Sequence, residues 1–236
     1  MDDLTKKHTI STNRVLINFS DENVKELFEL CNLIIDHFKP EEYYYLGLGG
    51  SPCLVIAGLQ VLCNDDTSGE LIPFSIKDDL IDNRLLLNQH FDNYRIKLIQ
   101  KKILLIDSSM FGKTLVRAHD EFTYYLGQKK TLEILSLCKR LHYIKKNFSK
   151  NGKSPFFIFL KNDPYRINLY SIIAGEYQKG MRAYPKLEHG EIPDTRPSRL
   201  AWLSAKQLIK AKFTALKNEG YSPEFDLKIE SSDDMS

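Results

Sequence analysis

Residues 103–115 combine side chains whose types and spacing suit phosphate chemistry. They read ILLIDSSMFGKTL, in which an apolar run is followed by a polar loop and the start of a predicted helix. The first N–H groups of a helix lack partners within the helix and lie at the positive end of its dipole, so a loop over residues 108–114 could enclose a phosphate. The candidate phosphate-binding residues are Ser108, Ser109, Gly112, Lys113 and Thr114.

Asp107 lies at the tip of the predicted strand, immediately before this loop. Its carboxylate would repel a phosphate, so it must face a different group. Vicinal sugar hydroxyls or a magnesium ion would suit its two acceptor oxygens.

The elements that must position this loop alternate between strand and helix. Buried strands are predicted at residues 43–48, 71–76, 102–106, 131–138 and 156–160, and helices at residues 21–38, 53–63, 78–91 and 114–126. This alternation favours a mainly parallel α/β sheet flanked by helices, with ligands at the loops that leave the C-terminal ends of the strands. The loops after residues 48, 106 and 160 are therefore the candidates for function.

A C-terminal amphipathic helix is predicted over residues 199–217. Trp202, Ala205, Ile209, Phe213 and Leu216 share one face, and basic side chains lie along its edge. Six acids and one base follow in residues 218–236. The pattern predicts a single α/β domain over residues 1–217, with this helix as its extension, and an acidic, flexible tail.

The charge of the chain is unevenly distributed. The 236 residues carry a formal net charge of +2, but without the acidic tail the body is clearly basic. A basic body predicts attraction to a phosphorylated ligand or to an acidic protein partner, and nothing points specifically to nucleic acid. No stretch approaches the ~18 apolar residues of a membrane span, and no signal peptide opens the chain, so we expect a cytoplasmic protein. Cysteines and histidines are scattered, which argues against a zinc site.

The Asp107 loop resembles the signature of the type I phosphoribosyltransferases, in which a hydrophobic strand, two acidic residues and a short loop ending in Thr-Gly-x-Thr precede a helix. Aligned from the helix backwards, Thr114 takes the place of the last threonine, Gly112 that of the glycine and Asp107 that of the second acid. Ile106 stands where the family has its first acid, and Phe111 where it has its first threonine.

The sequence LGLGGSP, at the end of the first predicted strand, resembles the pyrophosphate loop of the same family. In that loop small residues let backbone N–H groups approach the diphosphate beside a helix N-terminus. The matching positions are Gly49, Gly50 and Ser51.

The resemblance implies a phosphoribosyltransferase-like fold that binds phosphoribosyl pyrophosphate or a nucleotide, with Mg²⁺ as cofactor. Asp107 would be the catalytic residue that fixes the ribose hydroxyls, and the loop after it would hold the 5-phosphate. The implied activity is transfer of the phosphoribosyl group with release of diphosphate, a glycosyltransferase reaction. The alternative is a catalytically inactive ligand-sensing or protein-interaction module, regulatory or effector, on the same fold.

Other interpretations of the two loops stay open. GKT after a strand resembles a Walker A loop of nucleoside triphosphatases, but Asp107 then occupies the place of its first glycine. GLGGSP resembles a dinucleotide fingerprint, but Pro52 then occupies the place of its last glycine. The Asp107 segment could also be a polar turn that binds nothing.

Overall fold

The computed structural model of the protein describes residues 21–49, 52–72, 74, 84–108, 113–127, 131–138, 155–159, 196–223 and 228–231. These residues form five α-helices and six strands. The helices are α1 (Asp21–His37), α2 (Cys53–Cys63), α3 (Arg84–Asn93), α4 (Lys113–Leu126) and α5 (Arg196–Asn218). The strands are β1 (Tyr43–Leu48), β2 (Gly69–Ile72), β3 (Lys102–Ser108), β4 (Leu132–Cys138), β5 (Phe156–Phe159) and β6 (Ile229–Ser231).

The six strands form one sheet in the order β2-β1-β3-β4-β5-β6. Strands β1 to β5 pair in parallel, and β6 pairs antiparallel with β5. The predicted architecture, a mainly parallel α/β sheet flanked by helices, is confirmed. No described helix is long and apolar enough to cross a membrane.

The sheet is covered on both faces, which explains the unbroken apolar run of β3. Leu104 and Ile106 face a core shared with α1, α2 and α5, whereas Ile103 and Leu105 face a core shared with α3 and α4. All four side chains are fully buried. A strand between two helical layers needs apolar residues on both of its faces, so the alternation of a half-exposed strand is absent.

Helix α5 packs through the face that its sequence predicts. Ile209, Phe213 and Leu216 are buried, and the Phe213 ring meets Phe28 of α1 edge-on at 5.0 Å between centroids. The side chains of the other two predicted face residues, Trp202 and Ala205, lie outside the described part of the structure. Two lysines of α5 are paired within the chain: Lys206 with Asp66, and Lys212 with Asp21 at 2.8 Å.

The boundaries of β3 and α4 correct the predicted loop over residues 108–114. Strand β3 continues through Asp107 and Ser108, which pair in register with Ser136 and Leu137 of β4. Helix α4 begins at Lys113, so Lys113 and Thr114 belong to its first turn. The segment between the two elements, residues 109–112, lies outside the described residues. Backbone pairing with β4 extends the strand because ladder hydrogen bonds do not depend on apolar side chains.

The predicted flexible tail contains ordered structure. Tyr221 packs against Phe28 with 6.1 Å between ring centroids, and its hydroxyl donates to Glu29. Ile229–Ser231 form β6. Part of the predicted acidic tail therefore has defined secondary structure, because the outer edge of β5 offers unpaired backbone groups with which β6 pairs. The flexibility of the tail stays a prediction.

Candidate functional site

The sheet has a topological switch point between β1 and β3. From β1 the chain passes through α2 to β2 on one side, and from β3 it passes through α4 to β4 on the other. Helices α2 and α4 also pack on opposite faces of the sheet. Such divergence creates the crevice in which open α/β sheets bind ligands. We call the region beyond Leu48 and Ser108 the switch-point crevice.

The sheet register brings two of the three predicted loops to this crevice. Gly47 of β1 pairs with Ile106 of β3, so the two strands end at the same level. Gly49 and Ser108, after which the two predicted loops begin, therefore lie at the same edge of the sheet. The third candidate loop follows β5, which is separated from β3 by β4.

Two glycines shape the end of β1. A Cβ atom on Gly47 would lie 2.6 Å from Leu71, 2.7 Å from Ile56 and 2.9 Å from Pro52, so this glycine lets α2 pack closely on the strand. Gly49 has a φ of +67°, a conformation that glycine adopts readily. The N–H of Gly49 donates to the Ile72 carbonyl at 2.8 Å. Its contribution to the loop is therefore the turn conformation, because its own N–H is engaged in the sheet.

Asp107 lies next to the C-terminal end of β3 and is only 6% exposed. Because side chains alternate along a strand, it shares the face of Leu105, which is the face covered by α4. Ile106, which stands where the family has its first acid, is fully buried on the other face, in the core with α2. In the alignment that the resemblance suggests, only one of the two carboxylate positions is acidic in this chain.

Both helices that leave the crevice begin without acidic residues in their first turns. Pro52 occupies the N-cap position of α2, and no side-chain capping bond is made there. At the start of α4, Lys113 is exposed and Thr114 is half-buried. The N–H groups at each helix start are positively polarised, and Lys113 adds a full charge at the start of α4. This arrangement favours a ligand that combines an anionic group with hydroxyls.

Ser136 of β4 belongs to the same region, although the motif analysis did not single it out. It pairs in register with Asp107, is fully buried, and its Oγ has no hydrogen-bond partner. A sequence signal existed, because Ser136 is the one polar residue in the stretch ILSLC. What the sequence could not supply is the register that aligns Ser136 with Asp107.

Four predicted site residues lie outside the described residues: Gly50, Ser51, Ser109 and Gly112. The side chain of Ser108 also lies outside them, although its backbone is part of β3. Among the described residues, no group of three or more His, Cys, Asp or Glu side chains could hold a metal ion.

A second cluster of titratable groups lies toward the N-terminal ends of the strands. The Tyr44 hydroxyl donates to Glu70 at 3.4 Å. Burial raises the pKa of Glu70, and the hydrogen bond from Tyr44 opposes this effect. Burial, with a smaller contribution from Glu70, raises the pKa of Tyr94 to about 12. Glu70 is the second residue of β2, so this cluster is separate from the crevice at the strands' C-terminal ends.

Comparisons with protein-family models, with curated proteins and with solved structures found no match.

Proposed function

We propose that this protein binds a phosphorylated ribose compound, phosphoribosyl pyrophosphate or a nucleotide, in the switch-point crevice. The observation that carries the proposal is the adjacency of two loops that the sequence selected independently. The turn at Gly49 and the Asp107 loop start from paired strands that end at the same level. Each motif alone has low specificity. Both begin at the C-terminal ends of the parallel strands, which is the edge where open α/β sheets bind ligands.

The crevice suits an anion on both of its sides. The N-terminus of α2 follows the Gly49 turn and that of α4 follows β3, with no acid in either first turn. Free N–H groups at a helix start bind phosphate oxygens, and Lys113 adds a full charge. In this proposal the α2 side receives the diphosphate and the α4 side the 5-phosphate, as the resemblance to phosphoribosyltransferases implies.

Asp107 provides the acceptor for the sugar. A carboxylate at this edge of the sheet can accept hydrogen bonds from vicinal hydroxyls while the phosphates lie against the helix starts. A single carboxylate also fits Mg²⁺ that arrives bound to the diphosphate, because Mg²⁺ commonly combines one or two carboxylates with substrate phosphates. When bound, Mg²⁺ would neutralise charge on the diphosphate.

The reaction proposed for this site is phosphoribosyl transfer. The bond between the anomeric carbon and the diphosphate oxygen breaks as a bond to the acceptor's nucleophilic atom forms, through an oxocarbenium-like state. The protein would contribute position and electrostatics: helix N–H groups and Lys113 hold the departing anion, and Asp107 orients the ribose.

A second candidate function is ligand sensing without turnover. The specific observation in its favour is Ile106, whose fully buried side chain replaces the family's first acid. With one carboxylate fewer at the crevice, the protein would hold the sugar and phosphates but stabilise the transition state less. The same phosphoribosyltransferase-like fold would then serve a regulatory or effector role, with an acidic protein as partner of the basic body.

The test is calorimetric titration of the full chain with phosphoribosyl pyrophosphate and Mg²⁺, comparing the wild type with Asp107→Asn. Asparagine keeps the volume of this buried side chain and removes its charge. We expect the variant to bind at least about tenfold more weakly, because hydrogen bonds to charged groups contribute roughly 1.5–3 kcal/mol.

Glu133→Gln is the matched control. Glu133 lies near the start of β4, at the opposite end of the sheet, and accepts a hydrogen bond from Tyr43 at 2.7 Å. This variant removes the same charge and should bind like the wild type. Absence of binding by the wild type would refute the proposal. Binding without diphosphate release in the presence of purine, pyrimidine and amine acceptors would favour the sensing function over transfer.

A further inference from the structure

The hydroxyl of Ser136 is buried beside Asp107 without a hydrogen bond. Three buried side-chain polar atoms of the described residues lack partners: Gln60 Oε1, Arg117 Nε and Ser136 Oγ. Gln60 is bonded through its Nε2 at 2.9 and 2.7 Å, and Arg117 pairs with Glu121 at 3.0 Å. Ser136 alone among these three makes no side-chain bond. A buried hydroxyl without a hydrogen bond lowers the stability of the folded state. Buried polar groups in native proteins are nearly always hydrogen-bonded, so Ser136 is expected to have a partner in some state of the protein.

The strand register puts a polar residue, Asp107, directly opposite Ser136. Asp107 and Ser136 pair directly across β3 and β4, and paired residues of parallel strands point to the same face. Neighbouring strands lie about 4.8 Å apart, so rotation of Ser136 about χ1 and of the Asp107 carboxylate can bring the two side chains into hydrogen-bond range. Both side chains lie on the α4 face, at the level where the switch-point crevice begins.

We propose that Ser136 is a positioning residue for Asp107 in the ligand-bound state. When the vicinal hydroxyls of a ribose engage Asp107, the Ser136 hydroxyl donates to one carboxylate oxygen and leaves the other to accept from the sugar. This inference rests on the proposed function, because it takes the ligand to be a phosphorylated ribose. It narrows the substrate class to compounds with both the 2- and the 3-hydroxyl, since a 2-deoxyribose offers only one of the two donors.

The experiment compares Ser136→Ala with Ser68→Ala in the full chain. Ser68 is equally buried, but its Oγ donates to the Asp65 carbonyl at 2.8 Å, and it precedes β2 at the other end of the sheet. Each variant is titrated with phosphoribosyl pyrophosphate and Mg²⁺, and its stability is measured by urea unfolding. Ser136→Ala should bind about tenfold more weakly with stability equal to or above the wild type. Ser68→Ala should show the reverse: lower stability and unchanged affinity.

A second readout separates positioning from simple packing. Ribose 5-phosphate and 2-deoxyribose 5-phosphate are titrated against the wild type and Ser136→Ala. The wild type should prefer the ribose compound, and the preference should shrink in the variant because Asp107 is no longer held toward the diol.

Three results would overturn the inference. Wild-type affinity in Ser136→Ala would remove Ser136 from the site while leaving the proposed function intact. A stability loss in Ser136→Ala as large as that in Ser68→Ala would show that the hydroxyl has a structural partner in solution. No binding of any of these ligands by the wild type would refute the proposed function, and this inference with it.

Discussion

At the scale of single residues, the polar side chains of the sheet differ between its two ends. Toward the N-terminal ends of the strands, Tyr43 donates to Glu133 at 2.7 Å and Tyr44 donates to Glu70 at 3.4 Å. Near the C-terminal ends, Ser136 is buried without a partner, beside Asp107. A buried polar pair that is hydrogen-bonded stabilises the fold, whereas a buried polar group without a hydrogen bond lowers its stability. A residue kept at such a position indicates a functional requirement rather than a structural one.

Glu70 makes the stability of the fold depend on pH. Burial raises the pKa of Glu70 above its ordinary value of 4.5. The folded state therefore holds the proton more tightly than the unfolded state, so stability falls as pH rises from 4.5 through the raised pKa. Glu70→Gln should remove this loss: the variant should be more stable than the wild type at pH 7 and should lose the advantage below pH 4.5. Urea unfolding of both proteins across this range measures the difference.

Tyr44→Phe is the companion variant for Glu70. It removes the hydrogen bond that lowers the pKa of Glu70, so the pKa should rise further and the stability loss toward pH 7 should increase. A Glu70→Gln protein that is less stable than the wild type at pH 7 would contradict the assignment of burial as the dominant cause.

The residues of the candidate site were predictable only in part. The sequence singles out Asp107 because a carboxylate follows an apolar run there, and the structure places it near the C-terminal end of β3. Ser136 was not singled out, since its relevance depends on which residue of β3 it faces. Pairing between strands is set by the whole sheet, and a register shift of one residue would place Ser136 on the opposite face.

At the scale of elements, the Gly49 turn is open to a direct test. Gly49→Ala puts a Cβ atom on a residue with φ of +67°, at 3.4 Å from the Phe74 carbonyl oxygen. We expect a stability loss of about 1–2 kcal/mol from the backbone conformation, together with weaker binding of phosphoribosyl pyrophosphate because the turn beside the crevice is distorted. Urea unfolding and calorimetry measure the two effects.

Gly127 offers a matched control for this prediction. It follows α4, has a φ of +74°, and a Cβ atom there would meet nothing within 4 Å. Gly127→Ala should therefore lose a similar amount of stability and keep wild-type affinity. Equal affinities of the two variants for phosphoribosyl pyrophosphate would show that the Gly49 turn is not part of the binding site.

The elements themselves were largely predictable, and their ends were not. Helix α2 and strand β1 match their predicted bounds, because an apolar run with a proline or glycine at its border leaves little choice. Strand β3 runs two residues past its predicted end at residue 106. Hydrophobicity located the buried part of the strand, but the backbone ladder with β4 determines where the strand ends.

At the scale of the whole molecule, alternation of elements predicted the layers but not the order of the strands. The switch point exists because β2 lies on one side of β1 and β3 on the other. That choice depends on how α2 and α3 distribute over two faces, which no local pattern determines. Strand β6 escaped prediction for a related reason. Three residues are too few to show a periodicity, and their partners in β5 are more than 70 residues away in the sequence.

The position of β6 gives the acidic tail a structural role that can be tested by truncation. A chain ending at residue 223 loses β6 together with five acids and one base. It should be less stable by roughly 2 kcal/mol, because the backbone hydrogen bonds to β5 are lost and that edge is exposed. It should also bind a cation exchanger more strongly, because the remaining body is more basic. Urea unfolding and salt elution measure the two effects.

A full-length variant with four neutralised acids separates charge from strand pairing. Changing Glu224 to Gln and Asp226, Asp233 and Asp234 to Asn alters the net charge as much as the truncation does, and leaves the β6 residues unchanged. This variant should elute like the truncated chain and unfold like the wild type. If the truncated chain is as stable as the wild type, β6 contributes nothing to the fold. If both variants elute like the wild type, the uneven distribution of charge has no effect on how the protein meets an anionic surface.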